Sequence, residues 1–146
     1  MKKIFLLTIL FSQLCMAALN GEWVGWGQWS YDNSAVSCNP MKMTWQENEK
    51  ILAITKGLFE CELLVMHLGK TEWTKKDGHL FDENDKDVGT YSADEISLYM
   101  PSPNENTTIH IQVKKTRPTS YDYQEVWFNK NEKLYVITGR FFNGSN

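Results

Sequence analysis

The 146-residue chain is poor in the groups on which most enzymes depend. It has three histidines and three cysteines. His67, His79 and His110 stand far apart, with no His-x-His or His-x-x-x-His pair to set the geometry of a metal. No Cys-x-x-Cys is present, which removes the spacing that redox or zinc chemistry requires. No Gly-x-Ser-x-Gly elbow supports nucleophilic catalysis. The only basic cluster, Lys114-Lys115-Thr116-Arg117, reads as a solvated strand end, so neither nucleic acid nor anionic lipid is an expected partner. Beyond the first seventeen residues no apolar run is long enough to cross a membrane as a helix, and no stretch carries a sustained apolar stripe at helical spacing. Repeats, low-complexity tracts and linkers are also missing, which leaves one domain over residues 18–146.

What is present begins with a leader. Met1-Lys2-Lys3 is a short positive start of bacterial appearance. Ile4 to Leu14 is apolar but too short to span a bilayer, and Cys15-Met16-Ala17 offers a cleavage site after Ala17. Residues 1–17 therefore read as a signal peptide and the protein as exported, periplasmic or secreted. A lipid anchor on Cys15 fits less well, because Ser12-Gln13-Leu14 lacks the usual small residue. Loss of Lys2 and Lys3 takes the formal net charge from −3 to −5. Cys38 and Cys61 then remain, and a lone pair in an exported chain is most simply a disulfide.

The rest is a series of short alternating runs separated by turn residues. Met41, Met43 and Trp45 alternate with polar neighbours. Glu47 to Lys50 makes a turn into Ile51–Thr55, and the run resumes after Gly57. Centring that turn near Asn48–Glu49 brings Cys38 almost opposite Cys61, with one bulged residue at Gly57, so hairpin and disulfide support each other. Further runs cover 71–75, 79–81, 88–91, 96–100, 107–115, 121–128 and 133–142. Strands at this interval predict an all-β sandwich or barrel.

The most informative stretch is Gly21-Glu22-Trp23-Val24-Gly25-Trp26-Gly27-Gln28-Trp29-Ser30-Tyr31. Its period is that of a strand, and its two interior glycines would each cost a helix about 1 kcal/mol. Trp23, Gly25, Gly27, Trp29 and Tyr31 share one face, taken as the interior. The glycines permit a bend or a close neighbour. Gly21-x-Trp23 resembles the motif that opens the first barrel strand of calycins, the lipocalin-like proteins, and Arg140 follows in the last strand as their closing basic residue does. The resemblance implies a single antiparallel barrel of about 8–10 strands, with Trp23 at the closed end and Arg140 stacked across its ring. No Thr-Asp-Tyr motif and no helix before the last strand accompany it. No histidine follows His110, so the haem chemistry of the nitrobindin-like branch is not implied, and no cofactor or metal is expected.

Aromatic residues are the strongest functional lead. Trp29, Tyr31, Trp45, Tyr123 and Trp127 are the candidate ligand-lining residues, with Trp23 and Arg140 assigned to structure. Pairing the last hairpin across Lys130–Asn131 sets Tyr123, Glu125, Trp127, Leu134, Val136, Thr138 and Arg140 on one face, with Glu125 the only inward carboxylate. Glu60 and Glu62 read as solvated, and Asp82 to Asp87 as an acidic turn whose spacing fails the EF-hand pattern. The expected role is non-catalytic binding of a small, partly apolar molecule in the barrel. The alternative is a protein-interaction module of the cell envelope, or a secreted inhibitor, working through Trp26 and the Pro101–Asn106 loop.

Overall fold

In the computed structural model the described residues are 19–102 and 106–144; the proposed signal peptide lies outside them. They form no helix. Eleven strands follow one another: β1 (Gly21–Tyr31), β2 (Ser34–Glu47), β3 (Ile51–Cys61), β4 (Val65–Leu68), β5 (Thr71–Lys76), β6 (His79–Phe81), β7 (Asp87–Tyr91), β8 (Glu95–Pro101), β9 (Thr107–Arg117), β10 (Ser120–Asn129) and β11 (Glu132–Asn143). β1 lies between β2 and β11, the sheet runs on from β11 down to β5, and the β2–β3 pairing closes it. The result is an antiparallel barrel of ten strands. β4 is the extra strand, paired to the last third of β3 while β5 pairs to its first residues.

Alternation along each strand decides which side chains fill the interior. β1 buries Trp23, β2 buries Met41, Met43 and Trp45, and β10 buries Tyr121 and Tyr123. Cross-strand register assembles these into rows. One row runs Ile96–Val113–Tyr123–Gly139–Gly27–Cys38–Cys61. The next runs Tyr121–Phe141–Gly25–Met41–Phe59, all inside. Large rings therefore face glycines across the wall. Met41 Sδ lies 2.8 Å from where a Gly27 Cβ would stand, and the Thr138 carbonyl oxygen only 1.8 Å from it. The close neighbour expected of these glycines is thus the backbone of β11.

The Cys38–Cys61 disulfide forms between cross-strand partners. The bulge expected at Gly57 is instead at Thr55, since Thr44 pairs with Lys56 and Trp45 with Ile54. A second irregularity between Cys38 and Met41 restores the register that brings the cysteines opposite one another.

The ends of the barrel differ. One end carries the β2–β3, β5–β6, β7–β8 and β9–β10 turns, and it is packed shut. Leu19 is fully buried there, its amide donating to Glu47 Oε2 at 2.8 Å. Glu47 also takes Lys75 Nζ at 2.9 Å, and that ammonium lies 4.6 Å from the Tyr91 ring centre. Trp45 Nε1 donates to the Tyr121 hydroxyl at 3.0 Å, and Tyr121 packs 4.9 Å from Trp23. The free space left among Leu19, Leu52, Tyr91, Ile96 and Val113 is about 10 Å³.

Candidate functional site at the open end

The opposite end is wider. β5 and β6 pair over only three residues, Thr74–Lys76 with His79–Phe81. Beyond them the β6–β7 turn swings away, and a recess of about 660 Å³ opens between β5, that turn and the end of β8. Trp73, Val88 and Met100 form its inner wall, with Phe81 and Pro101 beside them. Its rim is polar, including Lys70, Glu72, Asp82 and Glu83. Asp82 is tied into its own turn, its carboxylate accepting from the amides of Asn84 and Lys86 at 2.9 and 3.0 Å.

From Met100 an aromatic tier continues around the wall. The row runs Met100–Ile109–Trp127–Tyr135–Tyr31. Trp127 stacks on Tyr135 at 5.1 Å, Tyr135 meets Trp29 edge-on at 6.0 Å, and Trp29 stacks on Tyr31 at 6.1 Å. Trp29, Tyr135, Met100 and Ile109 are only partly buried, unlike the filled interior below them. The Trp29 Nε1, like that of Trp23 at the closed end, is buried without a hydrogen-bond partner among the described residues.

The next row inward is Leu98–Ile111–Glu125–Ile137–Trp29. Glu125 is 6% exposed. One of its carboxylate oxygens accepts from the Tyr123 hydroxyl and the other from Trp127 Nε1. Burial pushes the Glu125 carboxyl above its ordinary range, against the lowering effect of those two donors. Burial, then the Glu125 charge, push the Tyr123 and Tyr135 hydroxyls up in turn.

The expected lining residues therefore divide. Trp29 and Trp127 come together at the open end, with Tyr31 at the rim, 53% exposed. Trp45 and Tyr123 are core: each is about 2% exposed, and Trp45 belongs to the closed end. Arg140 is a correction. It lies outside the barrel, its guanidinium held by Asp122 at 2.6 and 3.0 Å, and Tyr121 takes the place beside Trp23. The cause is a bulge in the last hairpin. Asn129 and Phe128 pair with Glu132 and Lys133 as the turn dictates, but Trp127 pairs with Tyr135, so Leu134 is an extra residue. Every later residue of β11 changes sides. Tyr135, Ile137, Gly139 and Phe141 turn inward, and Leu134, Val136, Thr138 and Arg140 do not belong to the face of Glu125. Tyr135, Met100 and Val88 were missed by sequence reasoning, and Trp73 counted among the aromatic leads without being chosen as a lining residue.

The histidines remain apart. His79 pairs with Asp87 at 2.8 Å, while His110 stacks on Tyr99 at 4.1 Å and meets Ser97 Oγ at 3.2 Å. Among the described residues no group of three His, Cys, Asp or Glu could hold a metal ion. On the outer wall Trp26, 55% exposed, stacks on Phe142 at 5.1 Å beside Val24. A shallow groove of about 660 Å³ adjoins Trp26, between Gln112 and Ser37.

No family model and no curated protein matches the chain. Solved structures do. The S-type phycobiliprotein lyase CPES from Guillardia theta superposes with a TM-score of 0.61 at 8% identity, over 87% of this chain and 89% of that one. A redesigned β barrel superposes at 0.51 with 16% identity, over 92% of this chain and all of the other. What is shared is the fold. A closed antiparallel barrel with such a neighbour fits the calycin-like fold implied by Gly21-x-Trp23.

Proposed function

We propose that this is an exported, calycin-like binding protein, non-catalytic, that takes a small, partly apolar molecule at the open end of its barrel. The observation that carries the reading is the contrast between the two ends. One is packed to about 10 Å³ around Leu19, while the other keeps a recess of about 660 Å³ against Trp73, Val88 and Met100, and Met100 begins the row that continues to Trp127 and Tyr135. Barrel mouths with aromatic walls and few polar groups are common ligand sites. The filled interior below Glu125 restricts the ligand to the mouth. The Cys38–Cys61 disulfide is consistent with an exported protein.

The reading is tested by native mass spectrometry of the exported, disulfide-bonded protein, alongside titration with the apolar dye 1-anilinonaphthalene-8-sulfonate. A carried mass lost on denaturation, or dye binding that Met100→Glu abolishes, supports a ligand at the open end. A bare mass together with dye binding indifferent to Met100→Glu sinks it. The exposed Trp26–Phe142–Val24 patch favours a second reading, a protein-interaction module working through the outer wall. Under that reading Trp26→Ser changes the oligomeric state or loses a partner while dye binding stays as it was.

A further inference from the structure

The polar group least explained by packing is Glu125. Its row neighbours Leu98, Ile111, Ile137 and Trp29 are apolar or aromatic. Its two partners, the Tyr123 hydroxyl and the Trp127 indole, are neutral donors. Glu47 has Lys75 and Asp122 has Arg140 as cationic partners, while Glu95, which accepts only from the Gln112 amide, is half-buried on the outer face and keeps access to water. Among the described residues no cation pairs with Glu125. An ionised carboxylate withdrawn from water without a cation is costly, and two neutral hydrogen bonds offset that cost only in part. A neutral acceptor would have satisfied the Trp127 indole and the Tyr123 hydroxyl more cheaply.

The surroundings favour positive charge from several directions. Trp29 stands in the row of Glu125, and Trp127 and Tyr135 in the row above it, so aromatic rings, whose faces attract cations, lie between the carboxylate and the mouth. At the rim of the recess Lys70 is paired with Glu72 at 3.3 Å, which leaves Asp82 and Glu83 as the net negative charge there. The net charge of the whole chain is negative as well.

We propose that the open end recognises a protonated amine carrying an apolar tail, with Glu125 as the counter-ion and the Trp29, Trp127 and Tyr135 rings around the ammonium. This rests on the open-end reading above and names the chemistry of its ligand. Tyr123 and Trp127 hold the carboxylate in place and leave its remaining lone pairs to the ammonium N–H groups.

Three probes with the same six-carbon tail separate charge from hydrophobicity: n-hexylammonium, hexan-1-ol and hexanoate. Each is titrated at neutral pH against the disulfide-bonded protein, followed by tryptophan fluorescence and by the ¹³C carboxyl shift of labelled glutamate. Hexylammonium is expected to bind about ten-fold more tightly than hexanol, and hexanoate least, as a desolvated cation–π and carboxylate site would give. Hexylammonium should also move one glutamate carboxyl resonance that hexanol leaves in place. Glu125→Gln should erase the preference for the amine and keep the affinity for hexanol. Equal binding of amine and alcohol overturns the proposal while leaving an open-end site intact. Preference retained in Glu125→Gln overturns the assignment to Glu125. Failure of all three probes, with no dye binding, overturns the open-end reading itself. The comparison of probes on the unaltered protein decides the matter even if Glu125→Gln does not fold.

Discussion

Gly27 and Gly139 are cross-strand partners on the inner face, both beneath Met41, yet they should respond very differently to a single added methyl group. A Cβ on Gly139 would meet Met41 Sδ at 3.0 Å, Met41 Cε at 3.1 Å and the edge of Phe141 at 3.0 Å. These are side-chain atoms, and the methionine can turn aside. Overpacking of that kind costs about 1–2 kcal/mol, partly offset by about 0.5 kcal/mol from the stiffer unfolded chain. A Cβ on Gly27 would lie 1.8 Å from the Thr138 carbonyl oxygen and 2.7 Å from the Gly139 Cα. Backbone cannot rotate away, so β1 and β11 must part and lose ladder hydrogen bonds, an effect in the exceptional class of about 4 kcal/mol or more. Urea unfolding of the oxidised protein, followed by tryptophan fluorescence and circular dichroism, measures both variants. Gly139→Ala should lower the midpoint modestly with an unchanged slope, while Gly27→Ala should come close to unfolding the barrel. The reasoning is refuted if Gly27→Ala lies within about 1 kcal/mol of the parent, or if Gly139→Ala is the more damaging. The outcome matters for function, because the β1–β11 register places Trp29 inside and Trp26 outside.

Reduction of Cys38–Cys61, or the Cys38→Ala/Cys61→Ala pair, should lower stability by about 3.4 kcal/mol, the chain-entropy value for a loop of roughly two dozen residues; denaturant titration with and without reductant checks it. Arg140→Ala should leave the unfolding midpoint unmoved, because the side chain is exposed and paired with Asp122; a marked loss would mean that it clasps Trp23 after all. Glu125 and Glu47 should shape opposite limbs of the pH profile. The Glu125 carboxyl is raised, by burial first, so its folded state holds a proton the unfolded chain releases. Stability should fall as pH climbs from the ordinary carboxyl value through the raised one, and Glu125→Gln should flatten that limb. Burial also opposes ionisation of Glu47, but the Leu19 amide and Lys75 outweigh it and hold the carboxyl low. Its contribution is present above the ordinary value and lost as pH falls towards the lowered one, so Glu47→Gln should flatten the acid limb in thermal melts across pH.

How far the site was legible follows from where alternation survives. In β1 nothing interrupts the pairing to β11, and the inward set Trp23, Gly25, Gly27 and Trp29 follows directly from the period of two. In the last hairpin the turn residues fix the first two pairs, and then one unpaired residue reverses the rest. Leu134 and Tyr135 are both large and apolar, so neither polarity nor size marks which one is skipped. That single ambiguity carried Arg140 to the wrong side and hid Tyr135. Glu125 was legible as an inward carboxylate because β10 keeps its alternation from Tyr121 through Trp127. Its lack of a cationic partner was not, since that depends on every strand facing it.

The sequence by itself determined the local facts: strands instead of helices, the cysteine pair, the turns after Glu47 and at Lys130–Asn131, and an aromatic interior. These arise from interactions between residues near one another in the chain, or from a periodicity that each strand carries alone. Tertiary structure decided closure of the wall by β2 and β3, the packing of one end around Leu19, and the recess left where β5 and β6 part after three pairs. It also decided which rings fill the core and which stand at the mouth. Those outcomes depend on bulges and on the stagger of ten strands closing together, and a one-residue shift in either exchanges inside for outside.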